Sequence, residues 1–302
     1  VYKRQELVSA VANAGAFGFL TALTQPTPEA LVAEVERTRS MTDNPFGVNL
    51  TILPTIKPIP YEEYGQAIIE SGVKAVETAG RSPEPFVPAF EAAGVKVIHK
   101  CTSVKHAMKA QQVGCAAVEI DGFEAAGHPG EDDIPSLILV PRAVDALDIP
   151  VIACGGFSDA RGLVAALAMG AEGISMGTRF LATQEAPVHD NLKQKLVESS
   201  ELDTQLIFRK FRNTARVFKN SVAVEVAEIE SRHDSGFEDV AELVAGERGA
   251  VVLESGDMEH GIWSAGMSAG LVHDVPTVAE LVDRIVSEAE AIISQRLSGL
   301  LI

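Results

Sequence analysis

The sequence lacks the features that would indicate a membrane span, a nucleic-acid-binding surface or a cysteine metal site. Its apolar runs are short and are interrupted by Gly, Pro or charged residues, so none is a candidate membrane span. Basic residues are few: 25 Lys and Arg stand against 42 Asp and Glu, a net charge of -17. This argues against nucleic acid as a partner, because binding phosphates needs a basic surface. The three cysteines, Cys101, Cys115 and Cys154, have no metal-type spacing, so we expect buried thiols in a protein of the reducing cytoplasm.

The first half of the chain alternates short apolar strands with helices, which predicts an α/β fold made of parallel βαβ units. An open doubly wound sheet and a closed TIM (β/α)8 barrel both fit, and the regular spacing of the units favours the barrel. The chain begins with a helix, Glu6 to Ala14, and without Met, so we expect the first barrel strand to lie upstream and to be missing here. The predicted strands are Phe17–Leu20, Phe46–Thr51, Ala75–Thr78, Val95–Lys100, Ala116–Ile120, Pro150–Cys154 and Glu172–Met176.

The alternation stops after Phe180, which predicts a second, inserted domain. We assign residues 1–183 and 276–302 to the barrel, closed by a long amphipathic helix, Thr277 to Leu297. Residues 184–275 are expected to form a helical substrate or lid domain. Its predicted helices are Asn191–Ser199, Thr204–Phe218, Ser221–Ser231 and Asp239–Ala245.

Two glycine turns give the strongest chemical signal. Gly155-Gly156 and Gly177-Thr178 directly follow the last two predicted strands, where barrels build phosphate sites from backbone N–H groups. Glycine lets the backbone approach a phosphate closely, and Thr178 adds a hydroxyl donor. The alternative is a pair of tight βα turns with no ligand.

The loop after the fifth predicted strand, 121–133, combines an Asp, a His and three glycines. Asp121 could accept hydrogen bonds from a ligand, orient Lys100 at the neighbouring strand end, or only cap a turn. His128 could act as a general acid or base, or be structural. Lys100 could stabilise negative charge at the barrel mouth, or be an ordinary surface lysine. We interpret Glu131-Asp132-Asp133 as a solvated acidic turn rather than a metal site.

A basic row lies within the predicted helix Thr204–Phe218 and just beyond it. Arg209, Arg212, Arg216 and Lys219 have the spacing of one helix face, which could be solvated, could face a dimer partner, or could attract phosphates of a dinucleotide. A later glycine-flanked segment, Trp263–Met267, could return toward the barrel mouth.

Several motifs together resemble the nitronate monooxygenase (2-nitropropane dioxygenase) family, most closely its bacterial NADH:quinone reductase subgroup. They are the segments 127–133 (GHPGEDD), 153–157 (ACGGF), 176–180 (MGTRF), 212–216 (RNTAR) and 261–267 (GIWSAGM). The resemblance implies FMN at the mouth of a TIM barrel, with Gly155, Gly156, Gly177 and Thr178 at its phosphate. It also implies that Thr51, Lys100, Asp121, Ala126 and Gly127 contact the ring and ribityl chain, and that His128 is the catalytic residue facing the flavin.

The resemblance implies an FMN-dependent oxidoreductase that oxidises alkyl nitronates with O2. The alternative is an NAD(P)H:quinone oxidoreductase using the same FMN site, although Ile56 and Phe237 stand where those relatives carry a glutamine and an aromatic hydroxyl. A flavin-free phosphate-binding barrel acting as a lyase or isomerase is a third possibility. In each case we expect a small-molecule substrate, no metal, no membrane partner and a possible homodimer.

Overall fold

Seven parallel strands form one curled sheet in which each strand pairs with the next along the chain. The structure, a computed structural model, describes residues 5–53 and 58–301. The sequential order β1 to β7 confirms the predicted α/β fold of the TIM-barrel type, and all seven predicted strands are present. The strands are β1 Phe19–Thr21, β2 Gly47–Ile52, β3 Ala75–Gly80, β4 Lys96–Cys101, β5 Ala117–Asp121, β6 Val151–Cys154 and β7 Gly173–Ser175.

Helices cover the outer face of this sheet, and buried aliphatic side chains from both layers form the main core. The last helix, Val278–Ala291, packs against the helices Gln5–Asn13 and Ala160–Ala168, as expected for a helix that returns to the barrel. In the parts of the chain that are described, no helix has both the length and the apolarity needed to cross a membrane. The helices are α1 Gln5–Asn13, α2 Pro28–Arg39, α3 Tyr61–Glu70, α4 Val87–Ala92, α5 Val104–Gln112, α6 Ser136–Val144, α7 Ala160–Ala168, α8 Thr178–Leu181, α9 Asp190–Val197, α10 Ser221–Glu230, α11 Gly246–Ser255 and α12 Val278–Ala291.

The predicted helix Thr204–Phe218 is wrong. This stretch contains two antiparallel strands, β8 Thr204–Ile207 and β9 Ala215–Phe218, joined by a short 3₁₀ turn. Phe208 and Arg212, on either side of that turn, adopt the left-handed conformation, which no helix can include. The apolar residues Phe208, Phe211 and Ala215 instead lie against α10 in a separate small core, whereas Phe218 stacks on Trp263.

A second correction concerns the end of the insertion. The predicted helix Asp239–Ala245 is absent from this described stretch, and α11 begins directly after it, at Gly246. The helices α9 and α10 match their predictions. The boundaries of the inserted domain at 184 and 275 remain a prediction.

Parallel register brings particular polar residues to adjacent positions in the sheet. Lys100 of β4 lies opposite Glu119 of β5, and Asp121, the last residue of β5, lies opposite Cys154 of β6. Since the carboxyl ends of parallel strands meet at one edge, these residues and the loops that follow them converge at the barrel mouth.

Candidate active site

A cavity of about 1330 Å³ opens at the carboxyl ends of the strands. Nine of the ten site residues predicted from the sequence line this cavity. The tenth, Gly127, stands between two lining residues in the sequence but is not itself part of the lining. The predicted residues that line it are Thr51, Lys100, Asp121, Ala126, His128, Gly155, Gly156, Gly177 and Thr178. The cavity also reaches α1 and α12, so its volume includes space beside the outer strands β1 and β7.

The two glycine turns form one wall of the cavity. Gly155 and Gly156 have φ values of 88° and 82°, a conformation that strains any residue with a side chain. Gly177 has ordinary backbone, but a Cβ placed there would meet nothing within 4 Å and would project into open space. Thr178 begins α8, and its hydroxyl accepts a hydrogen bond from the Gly266 N–H at 3.0 Å, which leaves its own hydrogen free to donate. Backbone is therefore exposed to the cavity where side chains would obstruct a ligand.

A buried charged network lies beneath this wall. The Lys100 ammonium is 2.7 Å from a Glu119 oxygen and 3.5 Å from a Glu77 oxygen. Asn49 donates to the other oxygen of Glu77 and accepts a 3.0 Å hydrogen bond from the Thr51 hydroxyl. Glu119 and Glu77 therefore orient Lys100, whereas the sequence had suggested Asp121 for that role.

Charge balance in this network shifts the pKa values of its members. Burial alone would lower the pKa of Lys100, but Glu119 and Glu77 outweigh it and raise the pKa above its ordinary value. Burial raises the pKa of Asp121 to about 6; Lys100 opposes this shift and Glu119 adds to it. Of the two Asp121 carboxyl oxygens, Oδ1 is buried without a hydrogen-bond partner among the described residues. A buried acceptor without a donor, on the cavity wall, suits a hydroxyl-bearing ligand.

The same place brings together three potential metal-ligating groups. Oxygen atoms of Glu119 and Asp121 and the Cys154 sulfur lie within 4.8 Å of one another. The ammonium of Lys100 already neutralises Glu119, and burial raises the pKa of the Cys154 thiol well above its ordinary value. A cation would have to compete with the ammonium and with the thiol proton, so the arrangement favours an ion pair over a metal site.

His128 lines the cavity at its mouth and is partly exposed to solvent. Partial burial lowers the pKa of its imidazole, and the neighbouring Glu131 carboxylate opposes this shift. Its ring is therefore neutral at neutral pH and can accept a proton. His99 lies deeper, where burial lowers its pKa to about 4 and its Nδ1 is 2.8 Å from the Thr78 hydroxyl, in keeping with a structural role.

Residues 131–133 are all exposed, in agreement with a solvated acidic turn, and two of them also contact residues 204–218. Glu131 accepts hydrogen bonds from Thr214, and Asp133 forms an ion pair with Arg209. The predicted return of the segment Trp263–Met267 is confirmed, since the Met267 N–H donates to the Glu124 carbonyl at 3.0 Å.

The basic row is not one face of a helix. Arg216 is buried and donates to the Phe123 carbonyl, Arg209 pairs with Asp133, and Arg212 lines the cavity. Of the two positions that differ from quinone-reductase relatives, Ile56 lies outside the described residues. Phe237 packs against Phe208 and Phe211, away from the cavity lining.

The fold and the site together define a barrel enzyme whose last strands end in glycine turns around a ligand cavity. A protein-family model described as nitronate monooxygenase matches residues 2–288, and the chain belongs to that family. The members of this family are flavin-dependent oxidoreductases.

Individual relatives carry different names. The chain is 32% identical to a (3aS,4S,5R,7aS)-5-hydroxy-7a-methyl-1-oxo-octahydro-1H-indene-4-carboxyl-CoA dehydrogenase of Rhodococcus jostii, over 94% of this chain and 88% of that protein. It is 32% identical to a probable nitronate monooxygenase of Bacillus subtilis, over 67% of this chain and 69% of that protein. Among solved structures, FabK from Thermotoga maritima matches with a TM-score of 0.91 and 31% identity, covering 99% of this chain and 93% of that one.

The residues present fit a flavin bearing a phosphate. The unpartnered Asp121 oxygen, the Thr178 hydroxyl and the open space at Gly177 lie on the wall of one cavity. They provide an acceptor for ribityl hydroxyls, a donor for a phosphate, and room for the phosphate to approach the backbone.

Proposed function

We propose that this protein is an FMN-dependent oxidoreductase that oxidises alkyl nitronates with O2. The observation that carries the proposal is the placement of His128 at the mouth of the cavity whose wall contains the two glycine turns. FMN is favoured because the glycine turns and the Thr178 hydroxyl offer donors for one terminal phosphate.

Each group has a distinct task in this proposal. When bound, the flavin supplies the electron acceptor for the substrate. Gly155, Gly156, Gly177 and Thr178 hold the phosphate, and Asp121 accepts from the ribityl chain. Lys100, whose ammonium is held by Glu119 and Glu77, would be a hydrogen-bond donor toward the ring. His128, neutral at neutral pH, accepts a proton from a carbon acid or donates a hydrogen bond to a nitronate oxygen.

The cofactor and the reaction can be tested separately. Release of the chromophore by denaturation, followed by chromatography, identifies FMN, FAD or neither. Oxygen uptake with propionate 3-nitronate, with negligible NADH oxidation in the presence of quinones, is the expected steady-state result. NADH-dependent quinone reduction without nitronate turnover would refute the proposal in favour of the reductase alternative. A colourless protein would favour the flavin-free barrel.

The role of His128 has its own test. We expect His128→Gln to lower nitronate turnover by about 100-fold, the usual contribution of a positioned acid or base. His233→Gln, at an exposed histidine outside the cavity lining, is the matched control. Unchanged turnover in His128→Gln would exclude a catalytic role for this residue.

A second candidate is dehydrogenation of a CoA thioester with the same flavin. Arg81 and Arg212 are exposed, line the cavity, and have no ion-pair partner within residues 5–53 and 58–301. Two such arginines in a strongly acidic chain favour an anionic substrate, and CoA carries several phosphates. The name of the Rhodococcus jostii relative points to the same substrate class.

The arginines allow the two candidates to be separated. If CoA thioesters are the substrates, Arg212→Gln should raise their KM about tenfold, and more than it raises the KM for a monoanionic alkyl nitronate, because CoA carries several phosphates. Arg296→Gln, at an exposed arginine of the C-terminal segment, is the control. The same KM in Arg212→Gln and wild type would remove this support for the CoA candidate.

A further inference from the structure

Glu131 connects the histidine loop to the inserted segment. Its Oε1 accepts the backbone N–H of Thr214 at 2.8 Å, and its Oε2 accepts the Thr214 hydroxyl at 2.6 Å. Thr214 is only 1% exposed, so its position is fixed by the surrounding core. A carboxylate that accepts two hydrogen bonds from one buried residue has a defined place and orientation.

A second connection lies on the other side of His128. Gly127 and Arg216 exchange two backbone hydrogen bonds, with N–O distances of 3.0 and 2.6 Å, as in a short antiparallel pairing. The Arg216 guanidinium also donates to the Phe123 carbonyl at 2.9 Å and lies 4.5 Å from the centre of the Phe123 ring. The loop is thus held before and after the histidine by the same β8–β9 segment.

The backbone between these two connections needs such support. Gly127 and Gly130, which flank His128-Pro129, have φ values of 73° and 87°. Glycine in this conformation is permissive, so the sequence of the loop alone does not fix the direction of the imidazole. The direction depends on the points where the loop is attached on each side.

The charged residues around His128 differ in the partners that they bind. From its own loop, Glu131 acts on the imidazole electrostatically. From the opposite segment, Arg209 is paired with Asp133, and Arg216 is bound to Phe123 and to the Thr204 hydroxyl. Arg212 lines the same cavity as His128. Glu131 is therefore the acidic group that both attaches the loop and acts on the ring.

We propose that Glu131 is a positioning residue for His128: its carboxylate holds the loop that carries the imidazole on Thr214. The catalytic consequence rests on the proposed function, in which His128 meets the substrate. The structural consequence does not, and it can be measured on the resting holoprotein.

Three variants separate attachment from charge. Glu131→Gln keeps the size of the side chain and removes the charge. Thr214→Val removes one donor and keeps the charge. Asp132→Asn, at the exposed neighbouring residue, is the matched control. Thermal melts of all three confirm that any change is local rather than global unfolding.

The first readout is the titration of His128, followed by NMR of its ring and assigned with His128→Gln. We expect Glu131→Gln to lower the pKa of His128, because the negative charge that opposes the effect of burial is lost. Thr214→Val should move it less, and Asp132→Asn should leave it unchanged. The second readout is amide hydrogen exchange over residues 122–131, which should be faster in Thr214→Val and Glu131→Gln than in the control.

The third readout is turnover. We expect kcat to fall about tenfold in both Glu131→Gln and Thr214→Val with little change in KM, because the histidine is misplaced after the substrate has bound. Wild-type titration and exchange in both variants would overturn the inference. If the wild-type holoprotein instead turns over none of the proposed substrates, the proposed function fails, and the attachment is still judged by the first two readouts.

Discussion

Asp121 gives a quantitative prediction that depends on the buried charge network. The side chain is 7% exposed at the end of β5, and burial raises its pKa to about 6 against the favourable charge of Lys100. Glu119 adds to the shift. Replacement by Asn removes the titration while keeping the shape of the side chain.

The sign follows from proton linkage. The folded-state pKa lies above the unfolded value near 3.9, so the folded protein binds this proton more tightly than the unfolded chain. The contribution of Asp121 to stability is therefore fully present below about pH 4 and is lost as the pH rises through 6. Each pH unit between the two values corresponds to about 1.4 kcal/mol, so the loss is about 3 kcal/mol by pH 7.

Urea denaturation of flavin-free protein between pH 4 and pH 8 measures this effect. The free energy of unfolding of Asp121→Asn minus that of wild type should rise by about 3 kcal/mol over this range. Asp132→Asn, which alters an exposed carboxylate, should show a nearly constant difference from wild type. A constant difference for Asp121→Asn as well would refute the argument that burial holds a proton on this residue.

Three further changes test other parts of the site. Gly177→Ala should leave the melting temperature unchanged, since its Cβ meets nothing, but should weaken FMN binding at least about tenfold by projecting into the cavity. Gly246→Ala is the control: a Cβ there also meets nothing, but the residue lies outside the cavity lining, so FMN affinity in a fluorescence titration should stay unchanged. The same FMN affinity in Gly177→Ala and Gly246→Ala would contradict the phosphate site. Lys100→Met should lower the free energy of unfolding, measured by urea denaturation, by about 3 kcal/mol or more, because Glu77 and Glu119 lose their counter-charge. Glu119→Gln should lower it by less than half as much, because Lys100 still pairs with Glu77. If both variants lowered the free energy of unfolding equally, Lys100 would not stabilise the protein by offsetting an excess of negative charge. Arg216→Lys should lower the free energy of unfolding by about 2 kcal/mol, since the partly buried Phe123 carbonyl loses its guanidinium donors, and an unchanged urea midpoint would contradict this.

The sequence predicted the barrel well because the relevant signals are local. Short β-branched runs that end in glycine, such as Pro150 to Gly156, mark both the strand and the turn that follows it. Because strand ends meet at one edge of a parallel sheet, the order of the strands was enough to bring Lys100, Asp121 and the glycine turns to one cavity, whereas Thr51 was assigned to it only through the family resemblance. The predicted lining did not require any knowledge of side-chain contacts.

The errors arose where long-range contacts decide the structure. The stretch Thr204–Phe218 has apolar and basic residues at helical spacing, yet its backbone is set by pairing within the hairpin and with Gly127. Glu77 and Glu119 were visible as acids within apolar strands, but their partner was not. Their attachment to Lys100 depends on the register of three neighbouring strands, which no local pattern encodes.

The two sides of the cavity are built from different parts of the chain, and this affects how the cofactor and the substrate are assigned. The wall proposed for the flavin consists of strand ends and βα turns of the barrel. The substrate side contains His128, whose loop is held by Thr214 and Arg216, and Arg212 from the same connection. Relatives that share the barrel but differ in name can therefore share a cofactor site while differing in substrate. Variants in the glycine turns therefore test the identity of the flavin. Variants in residues 204–218 and in the loop attached to them test the identity of the substrate.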